Sequence, residues 1–448
     1  MMSTAVKPFD ALPIIPLPQG YERVLPEWVA QQALIHGPIF RIAYPWSDHA
    51  PVYLVGPEAN RFVLHTRRAH FSHEQGWTPI IGGMLGKGVL NMDGAEHDRN
   101  RKMMNPGFTI AYMSRYLPIM SRVIADRTRD WATRGEVDLF QEMRRITFDI
   151  AAEALIGFRA GAEVDRMREL FMALLYQDFD PTTMTREEMI AQFGAARREL
   201  FSTLLARIAE RRERPTDDLL GMMVRARDED GNALSDEEIL GHVNILLVAG
   251  HETSTTMASW LLYLLATHPD YLSRVRAEIT QLVGTDPDAP IGLEAIKALR
   301  VLGNALSEAG RLWSPVASGP RGVVSDFEFG GYHVPAGTQA RYSIVGGHWM
   351  PNIFASPERF DPDRFAAPRE EDKKVPYALI PFGGGQRICI GVNFAQVEIK
   401  ALAAHVLRAY DLEPTPGQDI AQIYAPTIGS PSNGIRVLVR ERALAAVR

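Results

Sequence analysis

The residue best placed to do chemistry is the only cysteine in the chain, Cys389. It sits in Phe382-Gly383-Gly384-Gly385-Gln386-Arg387-Ile388-Cys389-Ile390-Gly391. A lone cysteine is most often an inert buried hydrophobe, but these neighbours argue for more. Three successive glycines let backbone approach something flat and large, and Gly391 lets the chain turn into a following helix. A thiolate stays ionised only with help from amide donors, a helix amino terminus or a metal, and this segment can offer all three. Arg387 places a cation beside any anionic cofactor edge.

A second constellation is Ala249-Gly250-His251-Glu252-Thr253. Gly250 removes a side chain where a helix would crowd a ligand, and Thr253 offers a hydroxyl. Glu252 sets a carboxylate in an apolar stretch, where it is costly unless it has a partner or a task. Glu308-Ala309-Gly310-Arg311 spaces acid and base for an ion pair on one helical face, and His97 and Arg101 fall one turn apart.

These residues need a scaffold. The chain has 448 residues, 46% hydrophobic and 23% charged, the balance of a globular protein. With 48 basic and 54 acidic residues the net charge is −6, which argues against nucleic acid as the main partner. One cysteine excludes an internal disulfide and any all-cysteine metal cluster, and it suits a reducing, cytoplasmic setting. The proline-rich leader, 1–20, shows neither a signal peptide nor a membrane span.

Strand-like runs, Ile39 to Ile42 and Val52 to Val55, lie between Gly-Pro pairs. From His97 to about Leu312 apolar residues recur at helical spacing. Ser235-Asp236-Glu237-Glu238 is a capping box, and His268-Pro269 is the next stop. The helix between them is about 50 Å long, enough to cross a domain. After Leu312 prolines and short strands dominate, and a last helix runs from about Gly391 to Tyr410. The expectation is one mainly α domain over 21–448 with a minor β portion.

The cysteine segment resembles the haem-binding loop of the cytochrome P450 family, Phe-x-x-Gly-x-Arg-x-Cys-x-Gly, at every fixed position: Phe382, Gly385, Arg387, Cys389 and Gly391. The other constellations resemble further landmarks of that family. Glu308 and Arg311 match its Glu-x-x-Arg pair. Arg364, in Phe360-Asp361-Pro362-Asp363-Arg364-Phe365, matches the third member of the charge cluster, with Arg359 a weaker substitute. Gly250, Glu252 and Thr253 match the oxygen-activation motif, with His251 a neighbour and not a ligand. His97, Arg101 and Arg321 match propionate ligands. One departure is His348-Trp349-Met350-Pro351, where members often carry an Arg-Asp pair before the proline.

The resemblance implies the cytochrome P450 fold and a haem-thiolate monooxygenase with haem b held by Cys389, O2 as co-substrate and hydroxylation as the outcome. Phe382, Gly383, Arg387 and Gly391 would complete the cofactor cradle. Thr253 would hold bound oxygen and Glu252 would feed protons. Electrons would come from a ferredoxin or flavodoxin with its reductase, since the chain length leaves no room for a fused one. Arg99 and Lys102 are candidates for the docking face, and the protein is expected to be a monomer.

Positions matching the family's substrate contacts are largely apolar: Trp77, Ile80, Met84, Leu85, Leu90, Phe171, Leu175, Ile245, Ala249, Val316, Ala317 and Ile428. They suit a fatty acid, terpenoid, steroid or retinoid. Segments 72–92 and 176–190 are expected to form an entry lid. Alternatives are a peroxide-driven or isomerising haem enzyme on the same fold, or a non-catalytic haem sensor or carrier. The acid–alcohol pair argues against the peroxide-driven form.

Overall fold

Ser235 starts the helix around which the chain is organised. Its hydroxyl accepts the Glu238 amide at 3.1 Å, while the Glu238 carboxylate accepts the Ser235 amide at 2.7 Å. This reciprocal cap satisfies donors that a helix start leaves orphaned. The central helix then runs Asp236–Thr267 and stops at His268, as the capping box and the His-Pro pair predict. The structure is a computed structural model and describes residues 6–175, 184–424 and 428–442.

Trp260, Leu261, Leu262 and Leu265 of the central helix are buried in the main core. The helix Leu139–Ile156 lies along it and carries Phe148, Ile150 and Leu155 into the same core. The carboxyl-terminal helix, Val392–Ala409, packs on another side through Val397, Leu402 and Val406. Arg300–Leu312 completes the frame. Its first turn is capped from outside, because the Glu278 carboxylate accepts the amides of Arg300, Val301 and Leu302 at 2.7, 2.8 and 3.0 Å. A carboxylate there also opposes the positive end of the helix dipole.

The β portion is mostly one six-stranded sheet with its own smaller core. Its order is Ile14–Pro16, Ile39–Ala43, Val52–Val55, Gln339–Ser343, Ser318–Val323, Phe71–Ser72. The first strand lies within the proline-rich leader and pairs parallel with the second, Ile14 opposite Arg41. The sheet brings Arg321 from the late chain next to Phe71–Ser72 from the early chain. No helix among the described residues is long and apolar enough to cross a membrane.

Candidate active site

The Cys389 loop is fixed by backbone. The Cys389 amide donates to the Phe382 carbonyl at 2.9 Å, and the Gly383 amide to Ile380 at 2.9 Å. Gly385 has φ +64°, and a Cβ there would stand 2.2 Å from the Leu64 carbonyl, so only glycine fits. Cys389 lies deep among protein atoms, yet its side chain is open to solvent, so it faces a cavity. Burial pushes its thiol pKa up, against the pull of the Gly391 amide and the Arg101 guanidinium. A cation bound at the sulfur would supply what those two do not.

Cations gather beside this loop. Arg387 donates to the Met92 carbonyl at 2.9 Å and stands 3.4 Å from Asp93. Arg321 is 3% exposed, with its guanidinium over the Tyr342 ring. Arg101 donates to the Ile388 carbonyl at 2.8 Å, and buried His97 meets Asp98 at 2.8 Å. Burial lowers the Arg387 pKa to about 10, Asp93 resists, and Arg321 and Arg101 add repulsion. His73, unmarked by any sequence motif, belongs to the same group. Burial holds its pKa well below the usual histidine value, with Arg321, Arg387 and His97 acting the same way.

The His73 Nδ1 is buried without a hydrogen-bond partner. A cavity of about 390 Å³ is lined by His73, Asp93, Asp98, Arg321 and Arg387. Such a surplus of buried donors is what a pair of carboxylates would neutralise. The thiol facing a cavity and this donor set therefore fit a haem with its two propionates.

The middle of the central helix is open on one stripe. Ala249 is exposed and Gly250 and Thr253 are partly so, while Val248, His251, Glu252 and Ser254 are buried. An exposed stripe in a buried helix borders an internal cavity. The Thr253 hydroxyl donates to the Ala249 carbonyl at 2.6 Å.

Glu252 points elsewhere. Its carboxylate is 2.9 Å from His251 Nε2 and 3.0 Å from Arg144 Nε. Burial opposes its ionisation, but His251 and Arg144 outweigh that and hold its pKa down at about 2. The expected proton donor is thus an ion-paired carboxylate turned from the Thr253 stripe. Helical spacing sets Glu252 off that face, and Arg144 fixes it there.

The apolar candidates divide. Ile80, Leu90, Leu175 and Ile428 are partly exposed at the margin of the main core, as is Trp77. Val316 borders the smaller core, and Ala317 is partly exposed. Met84, Leu85 and Ile245 are buried. Phe171 is fully buried against Phe148 and His251, and so is core instead of cavity lining.

Gly88 and Gly241 cross at backbone distance, since a Cβ on Gly241 would meet the Lys87 carbonyl at 1.8 Å. The Val89 amide donates to His242 Nδ1 at 3.1 Å, and His242 Nε2 meets Asn100 at 2.8 Å. Of the two segments expected to form a lid, 72–92 and 184–190 are among the described residues, with Ile81, Met84, Leu85 and Val89 buried, whereas 176–183 lie outside them.

Glu308, Arg311 and Arg364 are fully buried together. Arg311 donates to both Glu308 oxygens at 2.8 Å, and Arg364 reaches one at 3.0 Å. Arg359 contributes only its carbonyl to this cluster. His348 takes over where the Arg-Asp pair is missing. Its carbonyl accepts from Arg311 at 3.1 Å and its Nε2 accepts the Ile380 amide at 2.9 Å.

Arg99 and Lys102 do not form an open basic face. Arg99 is paired with Asp228 and Glu238, and Lys102 with Glu229. Their partners lie more than a hundred residues away, beyond any local pattern.

The family model described as Cytochrome P450 matches residues 14–439. A putative cytochrome P450 136 from Mycobacterium tuberculosis is 34% identical over 401 residues, covering 85% of this chain and 78% of the relative. The putative cytochrome P450 120 of Synechocystis is 30% identical, covering 90% and 89%. Among solved structures, the retinoic acid-bound cyanobacterial CYP120A1 aligns with a TM-score of 0.83 at 28% identity, over 96% of this chain and all of that one.

Proposed function

The chain belongs to the cytochrome P450 family and is a monooxygenase, and from that premise we propose that it hydroxylates a hydrophobic small molecule at the cavity shared by Cys389 and the Ala249–Thr253 stripe. The fold class is the one expected, mainly α with a minor sheet. The observation that carries the proposal is the Cys389 thiol, set deep in the protein and facing a cavity, with amide and guanidinium support.

Haem, when bound, supplies the reductive activation of O2 and the oxygen-insertion chemistry. Cys389 would hold its iron as thiolate, and Arg321, Arg387, Arg101, His97 and His73 would hold its propionates. Thr253 keeps its hydroxyl on the Ala249 carbonyl, from which it can turn to donate into the cavity. Glu252 would hold a proton at its carboxylate only after that group leaves Arg144, so the ion pair gates the path. The partly exposed apolar residues Trp77, Ile80, Leu90 and Ile428 orient the substrate and exclude water. A fatty acid, terpenoid, steroid or retinoid fits such a lining, and the retinoic acid-bound relative gives retinoids first place in a screen. Electrons would arrive from a separate ferredoxin or flavodoxin.

The test is the difference spectrum of the reduced holoprotein with and without carbon monoxide. A strongly red-shifted Soret band, lost in Cys389→His, is the expected result. A band typical of histidine-ligated haem in the unaltered protein refutes Cys389 ligation. Product from retinoic acid with ferredoxin and reductase, and none with hydrogen peroxide alone, separates the monooxygenase from a peroxide-driven enzyme.

A further inference from the structure

A second cavity, of about 870 Å³, opens between the helices Arg300–Leu312 and Val392–Ala409 and the segment from Phe365 to Phe382. Its floor is apolar: Met257, Leu306, Leu379, Pro381 and Phe382. Polar side chains line the two helices at one-turn spacing, Arg300, Asn304 and Ser307 on one and Gln396 and Lys400 on the other. None of these five has a side-chain hydrogen bond or ion pair among the described residues. Arg300 and Gln396 are exposed at the rim, whereas Asn304, Ser307 and Lys400 are half-buried, and a few half-buried unengaged polar groups beside an apolar wall are the usual make-up of a small-molecule site.

The charge is one-sided. Arg274, Lys297 and Lys373 at this cavity are each matched by a carboxylate, Asp363, Glu294 and Glu370. Lys400 and Arg300 are not, although the chain as a whole is acidic. Lys400 is half-buried, and burial draws its pKa down against the weak support of Glu278. Glu278 is already committed to three backbone amides. Gly303 leaves Lys400 its space, since a Cβ there would stand 3.2 Å from Nζ.

We propose that this cavity binds a small amphipathic monocarboxylate, with its head on Lys400, Asn304 and Ser307 and its chain over Leu306, Leu379 and Phe382. The site is set apart from the oxidation cavity by its lining, which includes neither Cys389 nor any residue of the Ala249–Thr253 stripe, although Phe382, whose carbonyl holds the Cys389 amide, forms part of its wall. An occupant here touches the cysteine loop from behind.

The experiment titrates sodium decanoate by calorimetry into holoprotein whose haem iron is saturated with a bulky azole. One equivalent of decanoate is expected to bind, with decanol at least tenfold weaker. Lys400→Met should raise the dissociation constant at least tenfold, Lys400→Arg should restore it, and Ser307→Trp should abolish binding. All variants should keep the azole difference spectrum, which reports an intact fold and oxidation site. No heat with decanoate, or the same constant in Lys400→Met and Ser307→Trp, overturns the proposal. As a check without substitutions, decanoate should slow acylation of Lys400 in the unaltered protein several-fold, and an unchanged rate overturns it equally. Loss of the azole spectrum from unaltered protein would count against the haem reading alone.

Discussion

Arg144 reaches from the helix Leu139–Ile156 to within 3.0 Å of Glu252, and so ties the acid of the oxygen motif to a neighbouring helix. The pair is nearly dry, and His251 Nε2 lies 2.9 Å from the same carboxylate oxygen. Breaking a buried pair leaves an uncompensated charge, which costs about 3–5 kcal/mol. Glu252→Gln is therefore expected to lower stability by about 3 kcal/mol in denaturant titrations of the holoprotein. An unchanged midpoint would show that the pair contributes nothing.

The same carboxylate sets an acid limit. Its folded pKa of about 2 lies below the ordinary value of 4.5, so its stabilisation is complete above about pH 4.5 and is lost as pH falls toward 2. Between pH 5 and 3 the unaltered protein should lose more stability than Glu252→Gln does. Parallel pH profiles would contradict this.

Glu398 has the opposite sign. It is fully buried on the carboxyl-terminal helix, and burial pushes its pKa up to about 8, with Ser254 alone acting against. The folded state then binds the extra proton, so stability falls as pH rises from about 4.5 to 8. Glu398→Gln should remove that slope, gaining on the order of 3–4 kcal/mol at pH 8 relative to pH 5. A variant with the same slope as the unaltered protein would sink the argument.

Haem retention should follow the cation cluster. Arg321→Leu and His73→Phe each remove a buried donor beside Arg387, and a hydrogen bond to a charged group is worth about 1.5–3 kcal/mol. Transfer of haem to excess apomyoglobin should quicken by about tenfold for Arg321→Leu. Equal transfer rates would remove Arg321 from the propionate set.

Thr253→Ala removes the hydroxyl now resting on the Ala249 carbonyl. Product per NADH oxidised should drop several-fold, with substrate binding unchanged in the ultraviolet–visible titration. Full coupling in the variant would assign Thr253 to packing.

What the sequence disclosed and what it hid differ by range of interaction. The central helix was legible because both its cap, Ser235 with Glu238, and its stop, His268-Pro269, are local. The Cys389 loop was legible because glycines at fixed offsets record where backbone approaches backbone. The direction of Glu252 was not, since Arg144 lies 108 residues earlier and no pattern joins them. Arg99 and Lys102 read as open cations for the same reason. Phe171 was placed at the cavity by its match to a family position, and that match holds no record of the Phe148 and His251 rings that cover it. His73 carried no signal at all, being defined only by the arginines that surround it.

The crossing of Gly88 on Gly241 has a mechanical consequence. With Val89 hydrogen-bonded to His242 and no room for a side chain at the crossing, this end of the early loop is riveted to the central helix. The turn before it is held as well, since Ile81, Met84 and Leu85 are buried in the main core and the Asn244 side-chain amide donates to the Leu85 carbonyl at 3.3 Å. A displacement of this segment is therefore passed to the first third of the helix that carries Thr253. Amide exchange should accordingly be slow at Gly86, Gly88 and Val89, whose amides donate to Gly82, Asn91 and His242.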